Sequence, residues 1–167
     1  MEVFKFGGAS VKDAKGVRNF LSCLRALNID NGVIVISAMG KMTNSFEEIV
    51  YSYFRRNPDL KVRLKEALKF HLQIIQDLDF KDNSQLIEVI KTEFKDLKNF
   101  LKRNHSTDHD YVYDQVVSRA EILSTKINSA YLNENGFDHD WLDVRRCLKT
   151  NSEYRRARVD WDLSADL

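Results

Sequence analysis

Two short runs of β-forming residues on either side of one amphipathic segment constrain the fold more than any other feature. The first run, residues 2–6, is rich in Val and Phe and ends at the pair Gly7-Gly8. The second run, residues 32–37, contains four consecutive β-branched residues, which is typical of a parallel strand covered by helices on both faces. Between the two runs, apolar residues recur at helical spacing over residues 11–27. The sequence therefore predicts a strand–helix–strand unit and an α/β fold.

The remainder of the chain is predicted to be mainly helical, since it contains one proline in 167 residues. The predicted helices span approximately residues 44–56, 60–75, 86–101 and 111–135. Asn44 is the expected N-cap of the first helix, and the next two have amphipathic stripes that predict a hairpin. A third strand is predicted at residues 139–144. We expect a three-layer α/β domain over residues 1–167, with a mainly parallel sheet and a helical insert at about residues 44–104.

Charge and hydropathy exclude several classes of protein. Lys and Arg total 26 against 25 for Asp and Glu, so the net charge of +1 gives no broad attraction for nucleic acid. The most apolar run, residues 33–39, is far shorter than the ~20 residues of a membrane-spanning helix. The N-terminus does not have the pattern of a signal peptide. We therefore expect a cytoplasmic protein without nucleic-acid or membrane partners.

Metal binding is not predicted. His105 and His109 are four residues apart, a spacing that suits zinc when both lie on a helix. They fall in a polar connector in which no helix is expected. A solvated loop is therefore preferred to a metal site at these positions.

Residues 5–10, with the sequence KFGGAS, form the sharpest chemical motif. The adjacent glycines Gly7 and Gly8 let backbone N–H groups approach an anion closely. The following helix would add its positive N-terminal end, and Lys5 would add a movable full charge. The motif matches neither of the common glycine-rich nucleotide loops. A phosphate site and a plain strand–turn–helix junction therefore both remain open.

A second candidate loop, residues 37–44, follows the end of the second strand. Ligands of open α/β sheets bind beyond the carboxyl ends of the strands, so the two loops are expected to converge on one pocket. Ser37 and Thr43 supply hydroxyl groups there, and small residues between them permit close approach. The alternative is a surface loop with a helix cap at Asn44, and the residues alone do not decide between the two.

Three segments together resemble one known family. Residues 3–11 (VFKFGGASV) resemble the opening KFGGTSV signature of aspartate kinases, and residues 35–44 (VISAMGKMTN) resemble their second loop. Residues 117–124 (VSRAEILS) resemble the SRGE segment of the same family. The resemblance extends over essentially all 167 residues but covers only the N-terminal part of the family's catalytic domain. It implies a three-layer αβα fold of the amino-acid-kinase type.

The resemblance implies transfer of the γ-phosphoryl group of ATP, with Mg²⁺, to the β-carboxylate of L-aspartate, a step in lysine, threonine and methionine biosynthesis. Lys5 would then be the catalytic residue that bridges the transferring group, and Gly7 and Gly8 would give backbone donors to the phosphates. Glu121 would pair with the substrate ammonium. The hydroxyl groups implied to line the aspartate pocket belong to Ser10, Ser37 and Thr43. The implied partners are L-aspartate and ATP, and we also expect a homo-oligomer.

The chain also departs from the family's pattern. Ala9 replaces a threonine, which removes a hydroxyl group, and Ala120 replaces a glycine, which adds a methyl group beside Glu121. The family's nucleotide-binding C-terminal portion and its regulatory ACT domains have no counterpart in residues 1–167. We therefore expect an N-terminal fragment without measurable kinase activity of its own. The alternatives are another superfamily member of the acetylglutamate or glutamate kinase type, and a non-catalytic module that binds an amino acid or a partner.

Overall fold

Helices dominate the computed structural model, which describes residues 1–27 and 32–165. The strands are β1 (Glu2–Phe6), β2 (Gly32–Ile36), β3 (Lys149–Thr150) and β4 (Val159–Asp160). The helices are α1 (Ala14–Leu27), α2 (Met42–Phe54), α3 (Leu60–Leu78), α4 (Ser84–Arg103), α5 (His109–Val117), α6 (Arg119–Glu134) and α7 (Trp161–Ala165). Short 3₁₀ turns span Val144–Arg146 and Tyr154–Arg156. The predicted strand–helix–strand unit is confirmed, and with it the α/β class.

β1 and β2 pair in parallel along their whole length, with Phe6 opposite Ile36. Because successive side chains of a strand point to opposite faces, every second residue of this sheet points toward the helices. Phe6, Ile34 and Ile36 pack against the buried core on that side. The ring of Phe6 meets that of Phe20 on α1 edge-on, with ring centroids 4.6 Å apart. We call this side the covered face of the sheet.

The opposite side of the sheet, here called the open face, consists of Val3, Lys5, Val33 and Val35. Val3, Val33 and Val35 are 64%, 45% and 42% exposed, and Lys5 is also exposed. The prediction that helices cover both faces of β2 is therefore wrong for the described residues. The run of β-branched residues is real, but helices meet only one side of it. Since parallel sheets are ordinarily buried on both sides, the open face is an unusual surface.

The predicted helical hairpin is confirmed in α3 and α4, which pack against each other after α2. The prediction that Asn44 caps α2 is wrong, because the helix begins two residues earlier, at Met42. Gly40, with φ of +55°, already turns the chain, and the Met42 N–H donates to the Met39 carbonyl at 3.0 Å. Asn44 therefore lies within the first turn of the helix, where its side chain is exposed.

A histidine lies at the centre of the helical layer. His71 on α3 is completely buried, with its ring centroid 6.5 Å from that of Phe46 and 5.9 Å from that of Phe94. Its Nδ1 lies 2.7 Å from the Ala67 carbonyl oxygen, and its buried Nε2 has no hydrogen-bond partner. Burial lowers the pKa of His71 to about 4, against the smaller opposing effect of the Ala67 hydrogen bond. The imidazole is therefore neutral in the folded protein near pH 7.

The single helix predicted over residues 111–135 is observed as two helices, α5 and α6, with a break at Ser118. The Ser118 hydroxyl donates to the Asp114 carbonyl at 2.6 Å, and the Ser118 N–H reaches the same carbonyl only at 3.4 Å. A serine that bonds back to the residue four positions earlier weakens and bends a helix. The backbone stays helical at Ser118, with φ of −58° and ψ of −20°, so α5 and α6 are separated by a single weakly bonded residue.

The third strand predicted at residues 139–144 is wrong. An extended segment becomes a strand only when its backbone pairs with a neighbour, and residues 138–143 have no strand pairing. The Asp143 carboxylate instead accepts from the Arg145 N–H and begins a 3₁₀ turn. Farther along, β3 and β4 form a small antiparallel pair, and α7 follows β4. None of the helices in the described residues has the length and apolar character needed to span a bilayer.

Candidate functional site

Two loops lie side by side where β1 and β2 end. The first loop spans residues 7–13 and the second spans residues 37–41. The Ser37 N–H donates to the Phe6 carbonyl at 3.0 Å, which continues the parallel pairing past the strands. The Gly40 N–H then donates to the Gly8 carbonyl at 2.9 Å and joins the loops directly. The expected convergence of the two loops at the carboxyl ends of the strands is therefore confirmed.

The two glycines of the first loop have different environments. A Cβ atom on Gly8 would lie 2.4 Å from the Ala38 carbonyl oxygen and 3.0 Å from that of Gly40, so only glycine permits this contact between the loops. A Cβ atom on Gly7 would meet nothing within 4 Å. Within the described part of the chain, the N–H groups of Gly7, Gly8 and Ala9 donate no backbone hydrogen bond. Gly8 is thus a packing requirement, whereas Gly7 leaves backbone donors accessible to an anion.

The N-terminal end of α1, which the sequence also suggested for anion binding, is already occupied by a carboxylate. The Gly16 N–H donates to Asp13 Oδ1 at 2.8 Å, so Asp13 caps the helix. The negative charge of Asp13 offsets the positive end of the helix dipole. The accessible donors of the first loop, rather than α1, are therefore the anion-binding element of this region.

The first turns of α6 complete the site on the covered side of the sheet. The Ser124 hydroxyl donates to the Ser37 carbonyl at 2.7 Å, and the Ala38 N–H lies close enough to the Glu121 carboxylate to lower its pKa. Glu121 and Ser124 are three residues apart and so share one side of the helix. The second loop is thereby held between the first loop and α6.

Glu121 is half-buried, and its pKa reflects this position. Burial raises the pKa of the Glu121 carboxyl above its usual value, while the nearby backbone N–H groups of Glu121 and Ala38 lower it by a smaller amount. A carboxylate that has lost much of its water, with no cation paired to it among the described residues, favours a ligand with positive charge. An ammonium group is such a ligand.

The other predicted site residues are more dispersed. Ser10 is exposed in the first loop, and Thr43 is half-buried in the first turn of α2. Lys5 belongs to the open face, whereas Glu121 approaches the second loop from the helical side. The structure therefore brings Gly8, Ser37 and Glu121 into one connected cluster. Lys5 lies at the same end of the sheet but on its other side.

One cluster of charged residues was missed by sequence reasoning. Glu93 on α4 accepts from Arg119 Nη1 at 3.1 Å through one carboxylate oxygen and from Lys126 Nζ at 2.6 Å through the other. All three side chains are 18–23% exposed. The spacing of seven residues between Arg119 and Lys126 places them on one side of α6 and was a detectable signal. The acidic partner on a different helix could not be inferred from spacing.

The candidate histidines have other surroundings. His105 is exposed, and His109 begins α5 with its ring 5.1 Å from that of Phe54, centroid to centroid. In residues 1–27 and 32–165, no three or more His, Cys, Asp or Glu side chains are grouped so that they could hold a metal ion. The described side chains therefore offer no ready-made metal site.

Comparison with known proteins gives a consistent result. The sequence pattern of the amino acid kinase family matches residues 1–166. The chain is 31% identical over 137 residues to aspartokinase 1, chloroplastic, of Arabidopsis thaliana, a match that covers 80% of this chain and 24% of that protein. It is 26% identical over 152 residues to the bifunctional aspartokinase/homoserine dehydrogenase, chloroplastic, of Daucus carota, covering 89% and 16%. The chain thus spans about a quarter or less of the length of these curated relatives.

The fold also matches a solved structure over its whole length. The crystal structure of E. coli aspartokinase III in complex with aspartate and ADP superposes with a TM-score of 0.85 and 24% sequence identity. The match covers 100% of this chain and 36% of that one. At this level of identity, the likeness establishes the arrangement of strands and helices described above.

Proposed function

The chain belongs to the amino acid kinase family, and from this premise we propose that it forms the amino-acid-binding part of an aspartate kinase. Such an enzyme transfers the γ-phosphoryl group of ATP to the β-carboxylate of L-aspartate and serves amino-acid biosynthesis. The observation that carries the proposal is the connected cluster of the first loop, the second loop and Glu121 at the carboxyl ends of β1 and β2. The proposal assigns residues 1–167 to the N-terminal portion of the kinase domain.

Glu121 is the proposed receptor for the substrate's ammonium group. Its carboxylate is half-buried beside the Ala38 N–H at the second loop, so a bound ammonium group would pair with an acid that water only partly solvates. Ser10, Ser37 and Thr43 are proposed to give hydroxyl groups to the two carboxylates of the substrate. Ala9 and Ala120 contribute methyl groups rather than polar groups to this region. Of the two, only Ala120 is buried.

Lys5, Gly7 and Gly8 are the proposed contacts of the phosphates. Phosphoryl transfer is mainly a matter of positioning and charge neutralisation, which suits accessible backbone donors and a flexible ammonium group. Magnesium is assigned to the nucleotide that enters the site rather than to protein side chains, because the described residues contain no grouped metal ligands. Since Lys5 reaches the phosphates from the open face, that face must be shielded from water during transfer.

The experiment that tests the substrate assignment is a calorimetric titration of the 167-residue chain with L-aspartate and, separately, with ATP. We expect L-aspartate to bind, and Glu121→Gln to weaken that binding at least about 10-fold because a charge-assisted contact is lost. Glu66→Gln, at an exposed position of α3, is the matched control and should bind like the unchanged protein. Tight binding of glutamate or acetylglutamate in place of aspartate would contradict the proposed substrate.

A non-catalytic amino-acid-binding module is the second candidate, and the exposure of Lys5 favours it. We propose that the isolated chain releases no ADP in the presence of aspartate and ATP, because its open face does not exclude water. Measurable aspartate-dependent ADP release would contradict this proposal. Homo-oligomerisation and a cytoplasmic location remain predictions, and several relatives are chloroplastic proteins.

A further inference from the structure

We propose that Glu93 is a positioning residue for Glu121, so that the hairpin of α3 and α4 sets the affinity for the amino-acid substrate. This inference rests on the proposed function and extends it to a helix that contributes no side chain to the loops. It follows from the way α6 is held on two sides.

The two sides of α6 have distinct partners. Each residue of an α-helix is rotated by about 100° from the one before, so Arg119 and Lys126 share one side, whereas Glu121 and Ser124 point in a different direction. The first pair bonds to Glu93 on α4. Of the second pair, Ser124 bonds to the second loop and Glu121 lies beside the Ala38 N–H of that loop. The rotation of α6 that satisfies Glu93 is therefore also the rotation that places Glu121 against Ala38.

Glu93 is the only described acid that joins these two cations to the hairpin. One carboxylate oxygen faces each cation, so a change in the position of α6 lengthens at least one of the two contacts. The Nε of Arg119 is buried and has no partner, which makes the guanidinium depend on Glu93 for its ionic contact. Because the cluster is mostly shielded from water, it holds its geometry more firmly than an exposed pair does.

The first turn of α6 carries Glu121, so the position of this turn matters for binding of the substrate. Ala120 is completely buried beside Glu121, and the helical hydrogen bonds on either side of Ser118 are long, with N···O distances of 3.4 Å. The first turn of α6 is therefore joined to α5 by weak backbone hydrogen bonds. Glu93 adds a side-chain constraint on this turn, through Arg119 at the first position of the helix.

The test compares Glu93→Gln with Glu88→Gln, which alters an exposed ion pair to Lys91 on the same helix. Calorimetry gives the Kd for L-aspartate, NMR gives the hydrogen-exchange rate of the Ala38 amide, and thermal unfolding gives Tm. We expect Glu93→Gln to raise the Kd about 10-fold and to accelerate Ala38 exchange about 10-fold. Glu88→Gln should change each by less than about 2-fold.

The outcomes separate this inference from the proposed function. If Glu121→Gln abolishes aspartate binding but Glu93→Gln changes neither Kd nor Ala38 exchange, the inference is overturned and the function stands. If no variant binds aspartate but Glu93→Gln still accelerates Ala38 exchange, the positioning role stands and the substrate assignment fails. Should Glu93→Gln not fold, Lys126→Met removes one contact and keeps the Arg119 pair, and an unchanged Ala38 exchange rate in it overturns the inference.

Discussion

The covered and open faces of the β1–β2 sheet have similar apolar residues but opposite surroundings. Phe6 and Ile36 pack into the helical core, whereas Val33 and Val35, from the same run of β-branched residues, are exposed. Apolar composition therefore does not decide whether a strand residue is buried, since burial depends on what packs against the strand. It also divides the site, because Glu121 belongs to the covered side and Lys5 to the open one.

Truncation of one side chain on each side of the sheet, Phe20 of α1 and Val35 of β2, is the strongest test of this comparison. Phe20→Ala removes the ring that packs on Phe6 and should lower the free energy of unfolding by about 4 kcal/mol. Val35→Ala on the open face should change it by no more than about 0.5 kcal/mol. Chemical denaturation measures both. A cost of about 2 kcal/mol for Val35→Ala would indicate instead that the open face is buried in solution by association.

Acid should destabilise the protein through His71, which is buried in the helical layer on the covered side of the sheet. His71 titrates near pH 6.5 when unfolded but with a pKa of about 4 when folded, so as the pH falls between these values only the unfolded chain gains the proton. The free energy of unfolding should therefore decrease by about 3 kcal/mol from pH 7 to pH 4 through this residue, and no further below that. Denaturation at a series of pH values measures it. His71→Leu should remove this component, and replacement of exposed His105 by Gln should retain it.

The contact between the two loops at the end of the sheet can be tested by substituting the adjacent glycines. Gly8→Ala places a methyl group against the carbonyls of Ala38 and Gly40, so the loops must separate, at a cost of about 2 kcal/mol. Gly7→Ala has open space around it and should change stability by less than about 0.5 kcal/mol. Urea unfolding and aspartate titration measure the effects. Equal decreases in the free energy of unfolding for Gly8→Ala and Gly7→Ala would contradict the close contact between the two loops.

Elements of the fold that depend on short stretches of sequence were predictable. The strand–helix–strand unit and the hairpin follow from strand composition and helical spacing. The break at Ser118 was not predictable, because serine is tolerated within helices and only its bond to Asp114 shows the bend. The prediction of a strand at residues 139–144 was wrong because a strand must pair with a neighbouring strand, and this segment has no such partner among the described residues.

The site was predictable in its residue types but not in its geometry. Resemblance supplied Glu121, and the rule for strand ends supplied the convergence of the loops. The need for glycine at Gly8 arises from the Ala38 carbonyl, which lies 30 positions away in sequence and leaves no local signal. The contacts of Glu93 with α6 likewise depend on helix packing. The open face was not predicted, because amino-acid composition does not indicate on which side of the sheet the helices pack.

The bond from the Ser124 hydroxyl to the Ser37 carbonyl joins residues 87 positions apart. Ribosomes add about 5–20 residues per second, so a nascent chain waits roughly 4–17 seconds between making the second loop and making the helix that holds it. During that interval the two loops can meet, but the acid that completes the cluster does not yet exist. During synthesis, the two loops are therefore available well before the acidic residue that completes the cluster.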